Sequence, residues 1–238
     1  MPNELPINEG KQIAVTVDGT SYQRIPIKTK LVVKGDDIAA VAREAAGDLI
    51  EKDDILFISE KAVACSQGRA IPMDEIKPRK LAKFLTRFVY KSPYGIGLGI
   101  PETMEMALRE CGVLRILFAA GCSAIGKLFR RRGWFYKIAG YKARSIDGPT
   151  QNTIPPYNNY VVLGPEKPDA VAKTVAESLG CTVLVVDIND IDGVILGSSD
   201  KTLDRELFVR ILKDNPLGQD CQQTPMGIIR TNHDINGN

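Results

Sequence analysis

Apolar and polar positions alternate weakly from Lys11 to Val17, as in a strand, and Ser21 to Ile27 runs back as its partner, with Asp18-Gly19 between them as a two-residue hairpin signal. From Ile38 the interval changes: Ile38, Val41, Ala42, Ala45 and Leu49 recur at helical spacing, behind an opening Gly35-Asp36-Asp37. Asp53-Asp54 then turns the chain into a strand, Ile55 to Ile58, that ends in Ser59-Glu60-Lys61. The same grammar returns later. Pro168-Asp169 opens a helix through Ala170, Val171, Val175 and Leu179, Gly180 stops it, and the strand Thr182 to Val186 runs out into Asp187-Ile188-Asn189-Asp190. Two helix-then-strand units, each delivering polar groups at the C-terminal end of a strand, predict an α/β or α+β architecture with a hint of internal duplication.

Between these units the pattern predicts a helix over about Arg79 to Tyr90 and another from Pro101 to Cys111, stopped by Gly112. Val113 to Ala120 is apolar throughout, so periodicity cannot separate a buried strand from a buried helix. A Pro/Asn-rich loop, Gly148 to Asn159, leads to a strand Tyr160 to Leu163. A helix Leu203 to Lys213 and a final strand Met226 to Ile229 follow, joined by a glutamine-rich loop. No low-complexity linker divides the 238 residues, so a single domain over 1–238 is expected, with a fraying tail at about 231–238.

Composition narrows the chemistry. The chain is 44% apolar with net charge +2, which suits a folded domain. No apolar run reaches the ~18 residues of a membrane span, so no membrane partner is expected. Five cysteines without a C-x-x-C pair argue against a disulfide framework and a zinc knuckle, and favour a cytoplasmic location. His233, in the polar tail, is the only histidine, so catalytic triads, Cys-His dyads and histidine-rich metal sites are excluded in practice. Acid–base and metal work falls to carboxylates, Lys, hydroxyls and amides. The modest net charge also hides an asymmetry: Ile76 to Ile146 carries fifteen Lys/Arg against three acids, and no acid lies between Cys111 and Ile146. A polyanionic partner is the physical expectation.

Several segments carry candidate chemistry. Gly121-Cys-Ser-Ala-Ile-Gly-Lys127 has the spacing of a phosphate-binding loop, but Leu128 stands where the metal-holding hydroxyl should be, and a small-residue packing segment is the stronger reading. Asp147, with Asn152 behind it, is the first acid after the basic stretch; Asp187 and Asp190 stand at or just past a strand end. Such carboxylates offer the hard oxygens that Mg²⁺ or Mn²⁺ takes, against the plainer roles of Asx-turn or helix cap. Glu60 and Lys61 end the first buried strand; Lys61 either neutralises a phosphate, the catalytic part, or makes a surface ion pair. The loop Leu217-Gly218-Gln219-Asp220-Cys221-Gln222-Gln223-Thr224 offers amides to a base or to phosphates, or is an ordinary polar loop.

Taken together, Ile25-Pro-Ile-Lys-Thr, Gly35-Asp-Asp, the strand end Ser59-Glu-Lys with Gly68-Arg69, Asp147 with Asn152, the strand ending in Asp187, and Leu217-Gly-Gln219 resemble the coenzyme F-420 gamma-glutamyl ligase family, in order from about Arg24 to Arg230. The resemblance implies a two-lobed α+β fold and a homodimer, with GTP or ATP as co-substrate and Mg²⁺ or Mn²⁺ as cofactor. It implies metal ligands at Asp147, Asp187 or Asp190, and Gln219, with Glu60, Lys61, Asn152 and Leu217, Gly218, Gln219, Asp220, Gln222, Gln223 and Thr224 facing the nucleotide. Departures mark a bacterial paralogue: Cys65 stands where the family has a second Lys, Ser145–Asn152 replaces its metal loop, and about Pro93 to Arg144 is rebuilt. The expected function is an NTP- and metal-dependent amide ligase that joins an amino acid, glutamate above all, to a small-molecule carboxylate through an acyl phosphate. The competing expectation is a non-ligating nucleotide- or RNA-binding module using the basic segment 76–146; nucleic acid is not the favoured partner.

Overall fold

The computed structural model describes residues 7–89, 96–131, 133–189, 193–218 and 220–232. The chain forms two compact units, Met1–Gly68 with Pro165–Asn238, and Arg69–Gly164. The first unit starts with β1 (Ala14–Val17), β2 (Thr20–Ile27), α1 (Ile38–Ala46), β3 (Ile55–Ser59) and α2 (Glu60–Ser66). The second holds β4 (Ala70–Pro72), α3 (Lys80–Leu85), α4 (Pro101–Cys111), α5 (Val113–Leu128), α6 (Trp134–Ala139), α7 (Tyr141–Arg144) and β5 (Tyr160–Val162). The chain then returns to the first unit through α8 (Pro168–Leu179), β6 (Thr182–Ile188), β7 (Gly193–Ser198), α9 (Arg205–Ile211) and β8 (Met226–Asn232). The mixed α/β order expected from the sequence is what forms, and each of the two helix-then-strand units contributes a central strand.

The first unit is built on a six-stranded sheet in the order β1-β2-β8-β3-β6-β7. β3 and β6 pair in parallel, Ile55 opposite Thr182 through Ser59 opposite Val186, while β8 runs antiparallel on the other side of β3. Continuous apolar runs such as Ile55-Leu-Phe-Ile and Val183-Leu-Val-Val are what a sheet covered on both faces demands. Phe57, Leu184, Val186 and Ile229 share a core with Phe208, Ile211 and Leu212 of α9. The alternate residues Leu56, Ile58, Val183 and Val185 turn to the other face and are just as buried, on the side where α8 meets β6 and β7. Gly197 of β7 permits that approach, because a Cβ there would collide with the backbone of Pro168. The β1–β2 hairpin closes with Asp18 and Gly19 both at positive φ, as the turn signal required.

Local sequence explains the helix ends. Asp37 caps α1 by accepting from the Ala39 N–H at 2.9 Å, and Asp204 caps α9 through the Glu206 and Leu207 N–H groups. Pro168 sits in the first turn of α8 and Gly180 ends it in the left-handed region. Buried Arg24 pairs with Asp214 and also donates to the Ile211 carbonyl at 3.1 Å, so the end of α9 is held to β2. At the far end of β8, Arg230 grips the buried Asp54 with two bonds of 3.0 and 2.7 Å.

In the second unit, Leu98, Met104, Ala107, Leu108, Ile116, Ala119, Ala139 and Val161 form one apolar core. Val113–Leu128 is a single helix, which decides the case that periodicity left open. The candidate phosphate loop Gly121 to Lys127 therefore lies inside α5, with its backbone committed to the helical ladder, and that reading is overturned. Glu105, 2% exposed, is gripped by Arg79 and Arg109: Arg79 donates its backbone N–H at 3.1 Å and its guanidinium at 2.8 Å, and Arg109 adds a bond of 2.9 Å. Burial alone would raise the Glu105 carboxyl, but the Arg79 and Arg109 bonds outweigh it and hold the group below its ordinary value.

Two outcomes follow. Replacing Glu105 by Gln should lower the thermal midpoint at neutral pH, at a cost on the order of 1 kcal/mol, because the two half-exposed arginines lose charged partners but keep water. Because the folded carboxyl lies below its unfolded value, the stability it contributes is complete above about pH 4.3 and fades as pH falls through the depressed value. Melting curves of both proteins should therefore converge in acid; a constant gap would refute the assignment. In the first unit, a Cβ at Gly227 would come within 2.6 Å of Phe57 Cζ and 2.8 Å of the Ile25 carbonyl. Gly227→Ala should accordingly destabilise by about 1–3 kcal/mol in urea unfolding.

Candidate functional site

Strand polarity places one cluster of polar segments. Because β3 and β6 are parallel, their C-terminal ends stand side by side, and Ser59 pairs with Val186, one residue before Asp187. β8 is antiparallel to both β3 and β2, with Met226 opposite Ile58 and Ile27, so its N-terminal end and the C-terminal end of β2 lie at the same edge. Gly193, which begins β7, pairs there with Ile188. The edge thus gathers Lys28-Thr29, Ser59-Glu60-Lys61, Asp187 to Asn189 and the loop 217–225. The carboxyl ends of parallel strands are where open α/β sheets hold ligands.

Hydrogen bonds fix this edge. The Ser59 hydroxyl caps α2 by accepting from the Lys61 N–H at 3.3 Å, and the Ser59 N–H donates to the Pro225 carbonyl at 2.8 Å. Glu60 is buried in the first turn of α2, where a carboxylate suits the positive end of the helix, and Lys61 is exposed beside it. Thr29 and Gln223 bind each other twice: the Thr29 N–H donates to the Gln223 carbonyl at 3.2 Å, and Gln223 Nε2 donates to the Thr29 carbonyl at 2.7 Å. Inside the loop, Gln222 Oε1 accepts from the Asp220 N–H at 2.7 Å, and the Thr224 hydroxyl donates to the Leu217 carbonyl at 2.7 Å. Asn8 spans the loop's base, with Nδ2 at 2.8 Å from the Pro216 carbonyl and 3.0 Å from Thr224 Oγ1. Gly218 takes φ 77, and a Cβ there would fall 2.6 Å from Gln222 Cδ, so the turn needs glycine.

The residues singled out from the sequence therefore separate into groups. Glu60, Lys61, Asp187, Leu217, Gly218, Asp220, Gln222, Gln223 and Thr224 meet at one edge of the first unit's sheet. Asp190 and Gln219 lie outside the described residues. Asp147 and Asn152 belong to the second unit, where the Asp147 N–H donates to the Val162 carbonyl at 2.8 Å and the Asp147 carbonyl accepts from the Val162 N–H at 3.0 Å, extending β5's pairing; Asn152 is exposed in the turn beyond. Among the described residues no three His, Cys, Asp or Glu side chains gather as a metal cluster. Cys65 is 5% exposed, a core residue of α2.

Sequence reasoning missed the loop's anchors. Thr29 was visible only as the last residue of Ile25-Pro-Ile-Lys-Thr, and nothing local marked Asn8, whose partners lie more than two hundred positions away. The hard oxygens at this edge, from Asp187, Asn189 and the loop's amides, fit a divalent ion such as Mg²⁺ or Mn²⁺ in donor type.

Comparison with known proteins adds two findings. The family model described as F420-0:Gamma-glutamyl ligase matches residues 26–199. The coenzyme F420:L-glutamate ligase of Methanopyrus kandleri (strain AV19) is 28% identical over 207 residues, spanning 79% of this chain and 72% of that protein.

Proposed function

Since the chain belongs to the F420-0:gamma-glutamyl ligase family, we propose that it joins glutamate to a small-molecule carboxylate at the expense of GTP or ATP. The observation that carries this reading is the meeting of Ser59-Glu60-Lys61, Asp187 to Asn189 and the loop 217–225 at the carboxyl ends of two parallel strands. In the proposed reaction an oxygen of the acceptor carboxylate attacks the γ-phosphorus, giving an acyl phosphate and the nucleoside diphosphate. The glutamate amine then attacks the acyl carbon, phosphate leaves with the electron pair of the broken C–O bond, and the amine gives up a proton. The second step releases a stable amide, which makes the sequence run forward.

Residues of this edge supply what the steps need. Lys61 presents an ammonium to the phosphoryl oxygens as charge builds on them. Glu60, in the first turn of α2, faces the nucleotide in this reading, and the clamped loop offers its backbone and amides to it. Asp187, Asp190 and Gln219 are proposed to hold a divalent ion, which when bound neutralises phosphate charge. Asp147, on the second unit, is proposed independently as a further ligand, with Asn152 toward the nucleotide. With Cys65 in place of the family's second lysine, Lys61 is left as the one lysine of α2. A homodimer and a reducing cytoplasm complete the reading; the free thiols of Cys65, Cys111, Cys122, Cys181 and Cys221 suit such a compartment.

The test uses the full chain with Mn²⁺, GTP or ATP, glutamate and an F420-type carboxylate acceptor, following diphosphate-nucleotide release. Lys61→Ala should lower kcat by about 10²–10³-fold, as loss of a charge-stabilising donor does. Asp187→Asn, Gln219→Ala and Asp147→Ala, each tested alone by calorimetry, should abolish Mn²⁺-dependent nucleotide binding while circular dichroism stays native. Undiminished binding in all three would defeat the site assignment.

A further inference from the structure

The helix α5 is largely apolar, with Arg115, Ser123 and Lys127 as its polar residues, yet most of its larger apolar side chains point outward. Ile116 and Ala119 enter the second unit's core, and Ala120 packs against it. Leu114 is 84% exposed, Phe118 66%, Leu128 81% and Phe129 67%, with Leu117 and Ile125 also exposed. At 100° per residue these six positions fall on one stripe about a third of the circumference wide. A contiguous exposed apolar stripe of this size calls for a cover.

The charge around it selects the cover. From Gly112 to Ile146 the chain has no acid, and Arg115, Arg130, Arg131, Lys137, Lys142 and Arg144 are basic. Arg130 and Arg131 are exposed just beyond the last turn of α5, and Arg115 is exposed in its first turn, where its Nε donates to the Ile138 carbonyl at 3.0 Å. A second copy laid on the same stripe would bring this acid-free basic patch against itself, since a two-fold interface is built from the same patch on both copies. A nucleic acid would meet the cations but would leave six leucine, isoleucine and phenylalanine side chains without an apolar partner. An anionic lipid surface satisfies both features, taking the aliphatic stripe at the acyl boundary and the arginines among the headgroups. The 16 residues of α5 amount to roughly 24 Å of helix at 1.5 Å per residue, too short to span, and no helix among the described residues is long and apolar enough to cross a membrane.

We infer that α5 docks this protein in the plane of an anionic membrane surface, its Leu114–Phe118–Ile125–Leu128 stripe down and its flanking arginines at headgroup level. This revises the expectation from sequence, which assumed that Val113 to Ala120 is buried. It is also independent of the ligase site, since it uses none of the residues proposed for that site.

The full chain is mixed with vesicles of phosphatidylglycerol and phosphatidylcholine, or of phosphatidylcholine alone, and sedimented. The single Trp134 gives an optical reading of the same event: its ring lies against α5, 3.1 Å from where a Gly126 Cβ would stand. The protein should sediment with anionic vesicles at low salt and stay in solution with neutral ones. Phe118→Glu with Leu128→Glu, both exposed and so neutral to folding, should cut the partition coefficient at least ~10-fold by placing charge at the acyl boundary. Arg130→Gln with Arg131→Gln should cut it about fivefold per arginine and flatten the salt dependence. Circular dichroism checks that each variant is folded. No binding by the parent protein would overturn the inference, as would undiminished binding by the glutamate variant. So would a dimer in light scattering that the glutamates disperse, or single-stranded RNA binding that they abolish.

Discussion

Parallel pairing between β3 and β6, two strands about 130 residues apart in the chain, is the constraint on which the first unit depends. Neither strand has a polar face, so neither can sit at an exposed position in the sheet. Once they pair in the centre, β8 fills the other side of β3, and Gly227 lets it approach Phe57 closely enough to do so. The polarity of these strands then leaves little freedom to the residues that follow them. Ser59-Glu60-Lys61 and Asp187 must emerge at the same edge, and the loop that enters β8 must arrive there too. The candidate ligand-binding groups are thus positioned by backbone pairing, with side-chain contacts refining the arrangement.

The second unit rests on a different kind of interaction. Among the described residues its sheet is the β4–β5 pair with the Asp147 bridge, and its cohesion comes from helices around Met104, Leu108 and Ile116, tied together by the buried Glu105 carboxylate and two arginines. A single anion shared by two half-exposed cations holds α4 to the chain segment that leads into α3. Such a centre demands its partners: the ions are costly to separate once water is excluded from the carboxylate. Along α5 the same unit buries Ile116 and Ala119 but turns Leu114, Phe118 and Leu128 outward, a distribution that no core requirement explains.

Much of this arrangement was legible in the sequence where the signal was local. Pro101 and Gly112 bracket α4, Pro168 and Gly180 bracket α8, and Asp18-Gly19 makes the hairpin turn, because each of these residues acts on its own backbone. The strand ends carrying Lys61 and Asp187 were equally readable, since a run of β-branched and aromatic residues stops where polar ones begin. What escaped is long-range. The exposure of Leu114, Phe118 and Leu128 depends on which side of α5 the other helices choose, and an all-apolar run carries no mark of that choice. Burial of Arg24 and Glu105 depends on Asp214, Arg79 and Arg109 arriving from elsewhere. The strand β7 was missed because Val194 and Leu196 are only partly buried and two glycines interrupt its pattern. In the site itself, the edge was foreseeable, whereas the clamp of Asn8 and Thr29 on the loop 217–225 was not.

That clamp has an evolutionary consequence. Loops that contact ligands are usually the parts a lineage can exchange most cheaply, since they touch little else. Here the loop's base is stitched to Asn8 and its far end to Thr29, both near the other end of the sequence, so a replacement must suit both stitches at once or hang loose. Diversification of specificity by swapping this segment would therefore require paired changes near the amino terminus, and laboratory chimeras that transplant the loop alone would inherit its letters without its shape.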